Sequence, residues 1–202
     1  IVNGTFVSRY DAVVMGSSAG GLRALSTILP ALPAEFPVPV LVVQHLMPTT
    51  DDYLPRSLAQ KCRVKVKQVG EKEPALPGVV YIAPPNYHLL IELDRTLSLS
   101  TDALINHARP AIDVLFETAA EAYGSRLIGV VLTGASSDGS LGLKAIKRYG
   151  GFALVQDPAT AESPTMPRAA QAATDVDRLA RLPEIGPLLC ELCMGSRQEA
   201  DT

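Results

Sequence analysis

Tryptophan is absent from the 202 residues, and cysteine and histidine each occur only three times. So few cysteines, in an odd number, exclude a disulfide framework. Cys190 and Cys193 form a C-x-x-C, but a zinc site needs four ligands, and no second pair or nearby histidine supplies the rest. Their spacing of three, on a terminal helix, reads as packing. No metal and no cofactor are expected.

An excess of positive charge is also missing. Eighteen Lys and Arg stand against 21 Asp and Glu, for a formal net charge of −3, and no basic block interrupts the chain. A duplex-binding surface must neutralise several phosphates, so nucleic acid is excluded as the leading partner. Apolar runs such as residues 38–43 fall far short of the roughly 20 residues a spanning helix needs, so direct membrane insertion is not expected. The amino terminus, Ile1-Val2-Asn3-Gly4, has no basic region or apolar run and is not read as a signal peptide. The cytoplasm is the expected compartment. The missing initiator Met leads us to expect a piece of something longer.

Apolar residues make up 47% of the chain and charged residues 19%, enough for a buried core. Asp11-Ala-Val-Val-Met-Gly16, Val38-Pro-Val-Leu-Val-Val-Gln44, Arg126-Leu-Ile-Gly-Val-Val-Leu-Thr133 and Phe152-Ala-Leu-Val-Gln156 are short, nearly continuous apolar runs. Such runs fit strands buried on both faces of a parallel sheet. Helical patterns lie between or after them, at residues 21–29, 53–61, 110–123 and 141–149. Strand then helix, repeated, predicts an α/β fold: three layers, a mainly parallel sheet flanked by helices in a Rossmann-like doubly wound arrangement. Val64-Lys-Val-Lys-Gln-Val69, Val79-Val-Tyr-Ile-Ala83, His88-Leu-Leu-Ile-Glu92 and Thr96-Leu-Ser-Leu-Ser100 read differently. They suggest an antiparallel ribbon or edge insertion around residues 64–100.

Gly16-Ser17-Ser18-Ala19-Gly20 matches G-x-S-x-G between a buried strand and a helix. Small flanking residues permit a sharp turn that exposes the central hydroxyl, and the helix start behind it offers unpaired N–H groups. Three readings stand side by side: a nucleophile at Ser18, a phosphate-binding turn, and a plain helix cap. The spacing is not G-x-G-x-x-G, and no G-K-[ST] follows. A serine nucleophile needs a base and an orienting carboxylate. In an open α/β sheet the site lies beyond the carboxyl ends of the strands. His45 closes the second strand and can meet Ser18 there. His88 fits a structural role in the ribbon, and His107 either caps a helix entry or borders the cleft. Asp138, in the loop leaving the third strand, is the candidate carboxylate. Its alternative is to cap the helix from Ser140. Asp11, Asp113 and Asp157 are weaker rivals by position.

Several ordered blocks resemble the catalytic domain of chemotaxis protein-glutamate methylesterases, from about residue 11 to 189. They are Gly16-Ser-Ser-Ala-Gly-Gly21, Val43-Gln-His45, Leu76-Pro-Gly-Val-Val-Tyr-Ile-Ala-Pro84 and Asn106-His-Ala-Arg-Pro-Ala-Ile-Asp-Val-Leu-Phe116, then Leu132-Thr-Gly134 with Ser137-Asp-Gly139, and Met166-Pro-Arg168. The resemblance implies hydrolysis of γ-glutamyl methyl esters on the cytoplasmic region of methyl-accepting chemotaxis receptors, with deamidation of receptor glutamines as a second activity. It implies Ser18 as nucleophile, His45 as base and Asp138 as its orienter, with Ala19 and Ala135 bordering the oxyanion site. His107, Arg109 and Met166 are then candidate substrate-cleft residues. It also implies a domain organisation: an N-terminal extension or linker remnant over residues 1–10, the catalytic domain over 11–194 and a loose tail over 195–202.

This chain departs from the family pattern where Thr is usual at Ala19, Met-Gly at Ala135-Ser136 and Gly at Thr165. Glycine at 136 would tolerate positive φ. The family's phosphorylatable receiver domain has no counterpart in these residues, so a receiver or other regulatory domain is expected outside this chain. The competing readings are an esterase-fold regulatory module with weakened or no activity, and a Ser/His/Asp esterase acting on a different ester.

Overall fold

The computed structural model describes residues 8–46 and 53–195. The expected extension and tail therefore lie outside the described residues, apart from positions 8–10 and Gly195. Nine strands and six α-helices follow in the order β1 (Ala12–Ser17), α1 (Gly21–Ile28), β2 (Val40–Gln44), α2 (Tyr53–Ala59), β3 (Lys65–Gln68), β4 (Val79–Ile82), β5 (His88–Ile91), β6 (Leu97–Ser100), α3 (Ile112–Tyr123), β7 (Leu127–Val131), α4 (Ser140–Arg148), β8 (Phe152–Gln156), α5 (Thr165–Ala173), β9 (Arg178–Ala180) and α6 (Leu182–Met194).

Seven strands form one sheet in the order β3-β4-β2-β1-β7-β8-β9, and every pairing in it is parallel. The apolar runs at its centre are buried residue by residue: β1, β2 and β7 have no half-exposed position. Alternate residues of each strand feed opposite cores. Val13 and Met15 join Val40, Val42 and Val130 beneath α1, α2 and α6, whereas Val14, Leu41, Val43 and Val131 pack beneath α3, α4 and α5. These are the three expected layers, a sheet between two sets of helices.

Residues 64–100 carry both of the features expected there, an antiparallel ribbon and an addition to the edge of the parallel sheet. β3 and β4 join the main sheet in parallel, with β3 at its edge, and only β5 and β6 pair antiparallel, as a separate two-stranded sheet. The alternation of valine and lysine in β3 records an edge position, where one face meets water, and says nothing about strand direction. β5 and β6 cover the α3 side, contributing Leu89, Ile91 and Leu97 to that core. No helix among the described residues is long and apolar enough to cross a membrane.

Candidate active site

The parallel register pairs Ser17 with Gln44 across β1 and β2, and Gly16 with Val131 across β1 and β7. The next residues, Ser18 and His45, leave adjacent strands at the same end of the sheet, and the loop carrying Asp138 leaves the strand on the other side of β1. This is the crevice outside the carboxyl ends where open α/β sheets place their chemistry. The turn from β1 to α1 needs Gly20, whose φ of +80° is left-handed. Ser18 is half-buried, and its hydroxyl makes no hydrogen bond among the described residues.

His45 Nε2 lies 2.7 Å from Asp138 Oδ2, with the carboxylate wholly buried. Asp138 does not cap α4, the alternative considered from sequence; the residue before that helix is Gly139, at φ +92°. Its oxygens instead accept the first N–H groups of α3, from Ile112 at 2.6 Å and Asp113 at 3.1 Å. They also accept the Asn106 amide at 3.0 Å and the Gly139 N–H at 3.1 Å. Burial pushes the Asp138 carboxyl up, but the bonds from His45, Ile112, Asn106 and Asp113 outweigh it and hold the group below the ordinary carboxylate range. The carboxylate stays ionised, and with Nε2 facing it, Nδ1 is the imidazole nitrogen left to take a proton.

Buried side chains fix the elbow around Ser18. Gln44 accepts the Ser17 hydroxyl at 2.6 Å and donates to the carbonyls of Ser18 and His45, each at 2.9 Å. One amide thus ties the serine turn to the histidine. Thr133 donates to the Ala19 carbonyl at 2.9 Å, so the next peptide is anchored from β7's side. The N–H groups of Ala19 and Ala135 form no hydrogen bond among the described residues, and both residues are exposed. Ser136 is not among the residues with positive φ, so replacing glycine there imposes no strain.

The expected cleft residues separate. His107 and Arg109 line a cavity of about 270 Å³ together with His45, Leu46, Asn86, Leu104, Ala108 and Pro110. Arg109 also braces its walls, donating to Asn86 Oδ1 and to the carbonyls of Thr101 and Asp102. Met166 is a correction: it is fully buried, and a β-carbon on Gly134 would stand 2.5 Å from its Cε. It packs under the loop that carries Ala135, because the start of α5 turns it into the core. On the far side of Ser18 an open groove of about 550 Å³ is lined by Leu22, Arg23, Lys61 and Glu162, among others. Among the described residues, no group of three or more His, Cys, Asp and Glu could hold a metal ion.

The sequence profile of CheB methylesterase matches residues 13–189. The chain belongs to the CheB methylesterase family. A Leptospira interrogans protein, named "Putative protein-glutamate methylesterase/protein-glutamine glutaminase", is 53% identical over 91% of this chain and 95% of its own length. A protein-glutamate methylesterase/protein-glutamine glutaminase of Carboxydothermus hydrogenoformans is 42% identical over 78% of this chain, but the match covers 48% of that protein. The crystal structure of the Thermotoga maritima CheB methylesterase catalytic domain superposes with a TM-score of 0.87 at 36% identity, covering 91% of this chain and 98% of that one. The CheB likeness therefore spans the sheet, both helical layers and every strand end that carries a candidate residue.

Two side chains of this CheB-family site escaped the sequence reading. Gln44 lies on a β-strand, and Asn106 sits in a loop. Neither residue type announces chemistry, and only the tertiary structure gives either its partners. A polar residue closing an otherwise apolar buried strand was the available signal for Gln44, since a buried amide must find partners.

Proposed function

We propose that this protein is a protein-glutamate methylesterase acting on γ-glutamyl methyl esters of chemoreceptor helices in the cytoplasm, and that it also deamidates glutamines there. The observation that carries the reading is the half-buried His45 held on the wholly buried Asp138, placed at the strand end beside a serine elbow whose hydroxyl is uncommitted among the described residues.

In this mechanism Ser18 Oγ attacks the ester carbonyl carbon while His45 Nδ1 takes its proton, and ionised Asp138 stabilises the imidazolium. The oxyanion is met by the N–H groups of Ala19 and Ala135, which have no other bond to give up among the described residues. The tetrahedral intermediate expels methoxide, which leaves as methanol with the proton from His45, and a glutamyl ester of Ser18 remains. Water, deprotonated by His45, then attacks that ester and releases glutamate and Ser18. A glutamine substrate follows the same path with ammonia leaving. The cavity beside His45 receives one flank of the substrate helix, and the groove beside Leu22 and Arg23 receives the other.

General-base assistance is worth roughly 10²–10⁴ in rate, so Ser18→Ala and His45→Ala should reduce methanol release from a methylated receptor fragment to near background. Wild-type turnover by Ser18→Ala would overturn the assignment.

A further inference from the structure

We propose that Asn106 is a positioning residue of this site, its side-chain amide set between two buried carboxylates so that Asp138 keeps its charge and its aim at His45. The inference rests on the reading of Asp138 as the partner of a catalytic His45, and it adds a residue outside the Ser-His-Asp set.

The geometry is specific. Asn106 Nδ2 donates to Asp138 Oδ1 at 3.0 Å and to Asp113 Oδ2 at 2.8 Å. Both neighbours of that atom are carboxylate oxygens, so the amide nitrogen must be the one between them. Asp113 and Asp138 are 4% and 0% exposed, so neither charge is relieved by water. Asp113 Oδ1 takes the Gly142 N–H at 2.7 Å, which leaves its other oxygen to Asn106.

The backbone is shaped to deliver this amide. Ile105 and Ala108 exchange both N–H···O bonds around a two-residue turn, at 3.1 and 2.9 Å. Its central residues, Asn106 and His107, have φ of +51° and +61°. That is the pattern of a type I′ hairpin turn, whose second central position favours glycine. Here histidine occupies it, and left-handed conformations outside glycine collect at functional sites. The turn is exposed, yet Asn106 reaches inward from it to the buried carboxylates and His107 lines the cavity shared with His45. A turn required only for chain reversal would need neither side chain.

The chemistry follows from what happens without the amide. Asp113 and Asp138 would then face each other with no amide donor between their side chains, and the pair would take up a proton more readily. A proton shared by the pair weakens Asp138 as the acceptor that His45 Nε2–H needs. The titratable groups facing this pair are His45 from the end of β2 and, one turn along α3 from Asp113, Glu117, which adds weak repulsion to Asp113. Burial and the neighbouring Asp138 charge hold the Asp113 carboxyl above its ordinary value, so this pair is the vulnerable one.

The test uses a fluorophosphonate, which needs no receptor: Ser18 Oγ bonds to phosphorus, fluoride leaves, and His45 takes the hydroxyl proton. Asn106→Gly keeps the left-handed turn without backbone strain while removing the amide, and thermal unfolding checks that it folds. Asn106→Asp keeps the shape but puts a third carboxylate in place of the donor. Both should slow labelling at neutral pH by about 10- to 100-fold, with the acid limb of the rate profile moved to higher pH. Adding Asp113→Asn to Asn106→Gly should restore most of the rate, because the new amide can donate to Asp138 and one charge is gone. Wild-type labelling by Asn106→Gly would overturn the proposal, as would a slowed variant with an unmoved profile and no rescue. Ser18→Ala separates the two readings: if it still labels, the catalytic assignment fails and this inference with it. If Ser18→Ala is inert while Asn106→Gly behaves as wild type, only this inference fails.

Discussion

A β-carbon on Gly21 would stand 1.8 Å from Oε1 of Gln44. The first residue of α1 is therefore glycine because a buried amide occupies the space its side chain would need. Gly21→Ala sets two effects against each other. Alanine favours a helix by about 1 kcal/mol over glycine, but a contact this short forces Gln44 from its three hydrogen bonds. The clash wins, and we expect a net loss of about 1–3 kcal/mol, read from the urea midpoint, together with a lower kcat.

Asp138→Asn should lower kcat by on the order of 10⁴, the loss seen when an orienting Asp becomes Asn in a Ser-His-Asp site. An amide cannot accept from His45, Ile112, Asn106, Asp113 and Gly139 together. Steady-state methanol release would measure the loss, and KM should move little because Asp138 is wholly buried.

The same carboxylate gives stability a pH dependence of known sign. Its native pKa lies below the ordinary carboxylate value, so the unfolded state binds its proton more readily. The contribution is complete above the ordinary value and fades as pH falls through the lower native one. Urea unfolding of wild type and Asp138→Asn should accordingly differ most near pH 7 and converge toward pH 3. A gap that widens on acidification would contradict the environment described for Asp138.

His107→Gly should separate stability from function. Glycine relieves the left-handed strain at φ +61°, worth roughly 0.5–1 kcal/mol once its greater freedom in the unfolded chain is subtracted. The cavity beside His45 loses an imidazole at its mouth, so KM for a methylated receptor fragment should rise while fluorophosphonate labelling of Ser18 stays near wild type.

The sheet centre was readable because β1, β2 and β7 carry apolar residues on both faces, and parallel strands buried on two sides leave that signature. The serine turn and the two other strand-end residues followed from the same geometry, since chain position alone puts Ser18, His45 and Asp138 at one end of the sheet. In residues 64–100 the antiparallel ribbon was readable, but not which strands form it: edge exposure of β3 produced the alternation that antiparallel ribbons also show. α5 and β9 went unrecognised because an alanine-rich segment and a three-residue strand carry little periodicity. For Met166, the motif marked proximity to the site and not which way the side chain points. Asn106 and Gln44 needed the fold itself, because a hydrogen bond across 26 or more residues has no local pattern.

Asp138 closes the start of α3 with the same carboxylate that pairs with His45. An inactive decoy meant to hold a receptor in place therefore belongs at Ser18, whose hydroxyl supports no other part of the fold. Silencing the protein at Asp138 would uncap a helix as well, and the result would report on a damaged scaffold as much as on a halted reaction.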